Sequence, residues 1–285
     1  MVYVGAGVVL LAVLCGFSMA GGHVGALLHP SEFVTIGGAS LGALLIMSPK
    51  KVLADVLRGV LQVLKGSPFN KAMYTELFKV LYQLSRLVRR EGMIALEGHV
   101  ENPAESKIFQ TCPKILANAS VKQFLCSGLM SIIDNKAEPG KLTHAFEEEI
   151  KVLERENHAA VGALVKTADG LPGFGIVAAV LGIVVTMQSI GGPVDEIGHK
   201  VGAALVGTFL GILLSYGLFA PLAARLEALG EAQARFFHTL STGLVALSEG
   251  ENPKAVVERA RRGVGSDCRS TQVELEQMLR EAEAA

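Results

Sequence analysis

Four apolar runs stand out along the 285-residue chain, and the polar residues fall between and after them. Residues 2–20, 33–48, 171–190 and 201–222 contain no Asp, Glu, Lys or Arg. Read as helices at about 1.5 Å per residue, three of these runs match a hydrocarbon core of about 30 Å. The second reaches only about 24 Å, so its edges need shielding by neighbours or a locally thinner bilayer. The first run lacks the basic residues that open a secretory leader, which predicts a retained span.

The polar stretches read as helices. Residues 52–64 carry apolar side chains at helical spacing until the stop at Gly66–Ser67–Pro68. Residues 72–88 repeat the pattern. Residues 104–135 suggest two short helices around Pro113, and residues 142–165 form a long acidic-then-apolar helix that feeds the third span. The fourth span is expected to continue as helix through residues 223–248, up to Gly250–Glu251–Asn252–Pro253. A further helical turn over 254–263 and a charged helix or frayed tail over 272–285 complete the chain. No stretch alternates convincingly with strand period.

Basic residues set the orientation. The short loops 21–32 and 191–200 hold only Lys200 between them. The stretch after the second run begins with Lys50 and Lys51 and continues through Arg58, Lys65, Lys71, Lys79, Arg86, Arg89 and Arg90. The tail carries Arg225, Arg235, Arg259, Arg261 and Arg262. Lys and Arg favour the cytoplasmic side, so both large polar regions and both termini are expected inside the cell. The expected fold is an all-α integral membrane protein with four transmembrane helices and a large helical cytoplasmic domain. Its parts are residues 1–48 (helices one and two), 49–170 (cytoplasmic), 171–222 (helices three and four) and 223–285 (cytoplasmic C-terminal helices).

Composition narrows the function. Half of the residues are hydrophobic and 19% are charged, too apolar for an ordinary soluble domain. Lipid is therefore a partner, and a net charge of −1 offers nucleic acid no general attraction. The four cysteines form no C-x-x-C pair and read as free thiols facing cytoplasm or lipid. No nucleophile–base set, phosphate loop or metal-ligand spacing is present, so an enzyme, a cofactor and a bound metal are not expected.

Inside the spans, Ala203, Gly207, Gly211 and Ser215 recur every fourth residue, a small-residue stripe suited to close helix contact. Thr208 lies beside it. Its hydroxyl either bonds the backbone four residues back or faces an ion path. Pro172 is read in the first turn of the third span, where a missing N–H costs nothing, and Pro221 at the end of the fourth. Their shared place at the cytoplasmic edge suggests a paired gate. Glu32, Asp195 and Glu196, with His23, His29 and His199, are read as outer-loop residues. On that reading no carboxylate lies at membrane depth, and any ion-binding acid must come from another chain. The run from Arg89 to Pro103 is dense in both charges. It is either a solvated face or a surface that grips a charged partner.

These residues resemble the MotA family of flagellar motor stator subunits. The resemblance lies in Arg89-x-x-Gly92-Met93-x-x-Leu96-Glu97, in Glu101–Asn102–Pro103, and in Ser106-x-Ile108–Phe109. It continues in Gly21–Gly22, in Gly25–Ala26–Leu27 and in Lys71–Ala72–Met73–Tyr74. It is strongest in Leu171–Pro172-x-Phe174–Gly175–Ile176–Val177–Ala178–Ala179–Val180 and in Val206–Gly207–Thr208–Phe209–Leu210–Gly211–Ile212–Leu213–Leu214. The tail beyond about residue 266 matches least. The resemblance implies a pentamer around a MotB dimer in the bacterial inner membrane, with MotB supplying the proton-binding Asp. It implies that Arg89 and Glu97 engage the rotor protein FliG, that Pro172 and Pro221 couple occupancy to movement, and that Thr208 faces the pore. Sodium-type relatives carry threonine where Ala179 stands, so Ala179 implies protons. The related ExbB/TolQ class is the alternative; four spans and the Arg89–Glu97 signature weigh against it, and the uncharged spans and large cytoplasmic insert weigh against a self-contained channel or transporter.

Overall fold

The computed structural model describes residues 2–134, 139–188 and 190–284, and among them helices and turns are the regular structure. The chain sorts into two compact units, residues 1–66 with 156–229 and residues 67–155 with 230–285. The first is the membrane unit. It contains α1 (Val2–Met19), a short turn of helix at Val24–Leu27, α2 (Pro30–Met47) and the amphipathic α3 (Lys50–Lys65). A helix of 49 residues, Pro139–Met187, supplies its third membrane crossing. A nearly continuous helical run, Val194–Ser248, supplies the fourth.

The second helix begins at Pro30, three residues earlier than the apolar run. Proline at the first helical position loses no hydrogen bond, because that N–H has no partner in any helix. The extra turn brings Glu32 inside the helix. α3 buries Val56 and Val63 against Ala160, Val161 and Leu164 of the long helix and against Ala223 and Leu226. Lys51 adds an ion pair to Glu156. α1 buries none of its residues within the chain, and its apolar surface is left for lipid or neighbouring subunits.

The second unit is built around α4 (Lys71–Glu91), which buries Met73, Tyr74, Leu77, Phe78, Leu81 and Leu84. The Asn70 side chain caps it by accepting from the Met73 N–H. The helix stops at Gly92, whose φ of +87° an L side chain rarely adopts. After it come a turn of 3-10 helix at Met93–Leu96, α5 (Glu97–Glu101), α6 (Lys107–Gln110), α7 (Pro113–Ala117) and α8 (Ala119–Ile133). The expectation of two short helices around Pro113 gives way to three, each started by its own cap or proline: Ser106, Pro113 and Asn118. In chain order the long helix is α9, and Val194–Leu214 is α10. A π turn at Ser215–Phe219 joins α10 to α11 (Ala220–Ser248); α12 (Pro253–Arg262) and α13 (Gln272–Ala284) follow. Phe69, Tyr74, Phe124, Phe146, Phe236 and Phe237 meet in an aromatic core with ring centroids 4.9–5.3 Å apart at the closest contacts. Cys112, expected as a free thiol facing cytoplasm or lipid, is fully buried against α4, where it donates to the Glu76 carbonyl, and burial pushes its thiol up to about 11.

Candidate functional site: the crossing of three membrane helices

Glycine lets α9 and α10 meet backbone to backbone. A Cβ on Gly211 would stand 2.7 Å from the Leu171 carbonyl and 2.9 Å from the Gly175 Cα. One on Gly175 would stand 2.8 Å from the Gly207 carbonyl. One turn outward, Gly182 packs on Ala204. The small-residue stripe therefore divides. Gly207 and Gly211 lie in the helix crossing. Ser215 is buried in the π turn, and Ala203 turns instead into an outer cavity, leaving Ala204 to make the contact.

Glu32 lies at this crossing. It is only 7% exposed, and a Cβ on Gly207 would fall 2.5 Å from its Oε2 and 3.0 Å from the Ala178 Cβ. This corrects the expectation that the spans hold no carboxylate. Gly207 is six residues past Val201, about 9 Å into the fourth apolar run. A charged group at that depth is expensive and characteristically functional. Oε2 has no hydrogen-bond partner among the described residues, and neither do the buried hydroxyls of Ser40 and Ser215. α2 and α10 lie alongside each other, Glu32 against Gly207 and Ile36 in one cluster with Leu210. Ser40 is eight residues past Glu32, and Ser215 eight past Gly207, so the two serines form a second polar level about 12 Å further along the helices. Between the levels, Ile36 packs with Leu171, Ala178 and Leu210.

Beyond Glu32, toward the start of α10 and the turn before α2 (the end read from sequence as the outer one), the crossing opens into a cavity of about 530 Å³. Val13, Phe17, His29, His199, Ala203 and Val206 are among its walls. His29 and His199, read from sequence as solvated loop residues, thus share one vestibule.

Ala179 is half-buried, and its N–H lies 3.3 Å from the position of a Gly207 Cβ. Beside it Ile176, Val180 and Val184 form an uncovered apolar stripe on α9. Thr208 is half-buried. Its hydroxyl makes no hydrogen bond among the described residues, whereas Thr186 and Thr167 each donate to the carbonyl four residues back. Pro172 sits in the interior of α9 rather than in a first turn, because the preceding helix runs on without a break. It leaves the Ala168 carbonyl without its usual donor. Pro221 follows the π turn, where Ala220 N–H donates to the Ser215 carbonyl; a proline here cannot serve the Gly217 carbonyl, and the wide turn absorbs the mismatch. Phe219 packs against the Leu171 cluster, so the two prolines flank one hydrophobic contact.

Arg89 and Glu97 occupy the other unit, both exposed. They do not share an unbroken helix. Gly92 ends α4 two residues after Arg90, and Glu97 opens α5. Arg90 pairs loosely with Glu91 at 3.9 Å.

Residues 3–92 match the Motility protein A N-terminal family, and residues 116–238 match the MotA/TolQ/ExbB proton channel family. Motility protein A of Salmonella typhimurium is 37% identical over 96% of this chain and 92% of its own length. The chain belongs to the motility protein A family. The Escherichia coli K12 member is 36% identical over the same shares, and the chemotaxis protein LafT of Vibrio parahaemolyticus 33% over 99% of each chain. Two solved structures share the motility protein A fold. Campylobacter jejuni MotAB aligns with a TM-score of 0.78 at 21% identity, covering 95% of this chain and 98% of that one. The flagellar MotAB stator complex from Bacillus subtilis aligns with a TM-score of 0.72 at 24% identity, covering 90% and 92%. As a motility protein A, the chain is a flagellar stator subunit of the bacterial inner membrane.

Proposed function

We propose that this chain forms a proton-conducting complex with a MotB-type partner and converts proton flow into torque on the rotor protein FliG. The observation that carries this reading is the uncovered apolar wall Ile176–Val180–Val184. It runs beside Ala179, and it bears no ionisable group. Glu32 is packed between helices, so a mobile acid travelling along that wall has to come from a partner. Five copies around a MotB dimer, with both termini in the cytoplasm, fit the uncovered faces of α1 and α9.

In the working cycle a proton from outside neutralises the partner's Asp. The desolvation cost of that charge vanishes, and the side chain passes the wall of α9. Each proton crossing about 100 mV supplies roughly 2.3 kcal/mol, so one rotor revolution needs many crossings. The prolines at 172 and 221 interrupt the backbone ladder where occupancy must become movement. Thr208 offers the free hydroxyl of the path, and Ala179 offers no oxygen to a sodium ion. Arg89 and Glu97, exposed on separate helices, present opposite charges to the rotor.

The test is motility rescue in flagellated cells without stators, with the cognate MotB-type partner, in sodium-free and sodium-containing media. Swimming without sodium is expected. Swimming only with sodium would overturn the ion, and no swimming from a stable complex would move the chain toward the ExbB/TolQ role. Arg89→Glu is expected to impair torque while membrane assembly stays normal; loss of assembly would make the residue structural.

A further inference from the structure

We propose that Glu32 is a proton-holding station of this chain, placed between the outer cavity and the partner's acid; the inference rests on the stator reading above. Three independent observations meet here. The carboxyl is more than nine-tenths buried, inside an apolar run of the neighbouring helix. Its Oε2 has no donor among the described residues. It occupies space that exists only because residue 207 is glycine, against Ala178 and Ala179, the positions at the edge of the apolar wall.

A route leads to it from the cavity. His29 lies one turn before Glu32, and the Glu32 N–H donates to its carbonyl. Val206 is the neighbour of Gly207, and both His29 and Val206 line the outer cavity. The ionisable groups near this end are few. α10 presents His199 in the cavity and Lys200, which is paired with Glu196 at 2.8 Å; the turn before α2 presents His29. α9 carries no ionisable residue from 171 to 188. A carboxylate so placed is satisfied by a proton or by a donor from outside the chain. The step is a simple transfer. An O–H bond forms at Oε2 as hydronium in the cavity gives up a proton. That bond breaks as the proton passes, through water, to the partner's carboxylate. Glu32 returns to its starting state with no electrons moved.

The experiment uses the full chain with its MotB-type partner, in stator-less cells and sodium-free medium, with rotation read from attached beads. Glu32→Gln keeps shape and polarity but cannot carry the proton. Its low-load speed is expected to fall roughly tenfold, less than a general acid–base group usually contributes because water offers a bypass. Stall torque stays near wild type, the solvent deuterium effect on speed grows, and Glu32→Asp falls between. Wild-type speed and isotope effect in Glu32→Gln would overturn the station and leave the stator reading intact. A wild-type chain that turns no motor would overturn both. Should Glu32→Gln fail to assemble, proton flux through Glu32→Asp complexes in phosphatidylcholine–phosphatidylglycerol vesicles decides: a severalfold drop with normal assembly supports the station, and wild-type flux overturns it.

Discussion

The hydroxyls of Ser40 and Ser215 are buried and have no hydrogen-bond partner among the described residues, although helix geometry offers each a carbonyl one turn back. A buried unsatisfied hydroxyl destabilises a fold by about 1–3 kcal/mol. Ser40→Ala and Ser215→Ala should therefore each raise the stability of the isolated chain by about 1 kcal/mol, measured as a higher unfolding temperature in detergent. A loss of stability would mean that each hydroxyl already has a donor or acceptor, in water or in a neighbouring subunit. Residue-level burial of this kind was hard to read from sequence. A serine on an apolar face looks the same whether it is packed or lipid-facing. Glu32 carried a better signal. Pro30 two positions earlier is a helix-start residue, and taking it at face value puts Glu32 in the first turn of α2 rather than in a loop. The purely hydropathic boundary at 33 hid it, because charge itself ended the apolar run.

At the scale of the helix pair, the glycines of α9 and α10 differ in what an added methyl would meet. At Gly211 the obstacle is backbone, the Leu171 carbonyl and the Gly175 Cα, which cannot step aside. At Gly207 the nearest obstacle is the end of a flexible side chain, Glu32. Gly211→Ala should destabilise the membrane unit by roughly 1–3 kcal/mol and loosen the pair. Gly207→Ala should cost less stability but push the Glu32 carboxyl out of its place. Thermal unfolding of the two variants in detergent checks the order, and a Gly207→Ala variant as unstable as Gly211→Ala would contradict it. The four spans, α3 and α4 were legible because apolar positions recur at helical spacing. Gly207 and Gly211 announced the crossing by spacing alone. What spacing could not give was the phase of the stripe, since Ala203 and Ala204 are chemically identical neighbours and only tertiary contact tells which one packs. The proline in α9 was misplaced for a similar reason. Helical pattern on its amino-terminal side and apolar pattern on its carboxy-terminal side looked like two elements meeting at Pro172, and one helix runs through both.

At the scale of the whole chain, the region that resembles the family least is tied down by charge. α13 lies on α4 through Lys71–Glu274 at 2.7 Å, Lys79–Glu281 at 3.5 Å and a Tyr82 hydroxyl that donates to Glu283. Leu275, Met278 and Leu279 supply the apolar side of the contact. The Lys71 ammonium bonded to Glu274 holds that carboxyl below its ordinary 4.5, and the Tyr82 hydrogen bond does the same for Glu283. Burial, reinforced by Glu283, pushes the Tyr82 hydroxyl up to about 12. The sign is fixed by the carboxylates. Their pKa values are lower folded than unfolded, so their contribution is complete above 4.5 and drains as pH falls through the depressed values. α12 shares the dependence, because Arg261 lowers Glu258 in the same way. The C-terminal helices should therefore loosen in acid before the aromatic core around Phe124, Phe236 and Phe237, where ring-on-ring packing supplies the contact. Hydrogen exchange on the full complex, stepped from about pH 6 to about pH 3 with rates corrected for intrinsic chemistry, should show residues 272–284 losing protection first. Salt should advance the loss, since these pairs are half-exposed and screened. Protection in α13 that survives to the pH at which the Phe236 region opens would mean that Leu275, Met278 and Leu279 alone hold the tail in place.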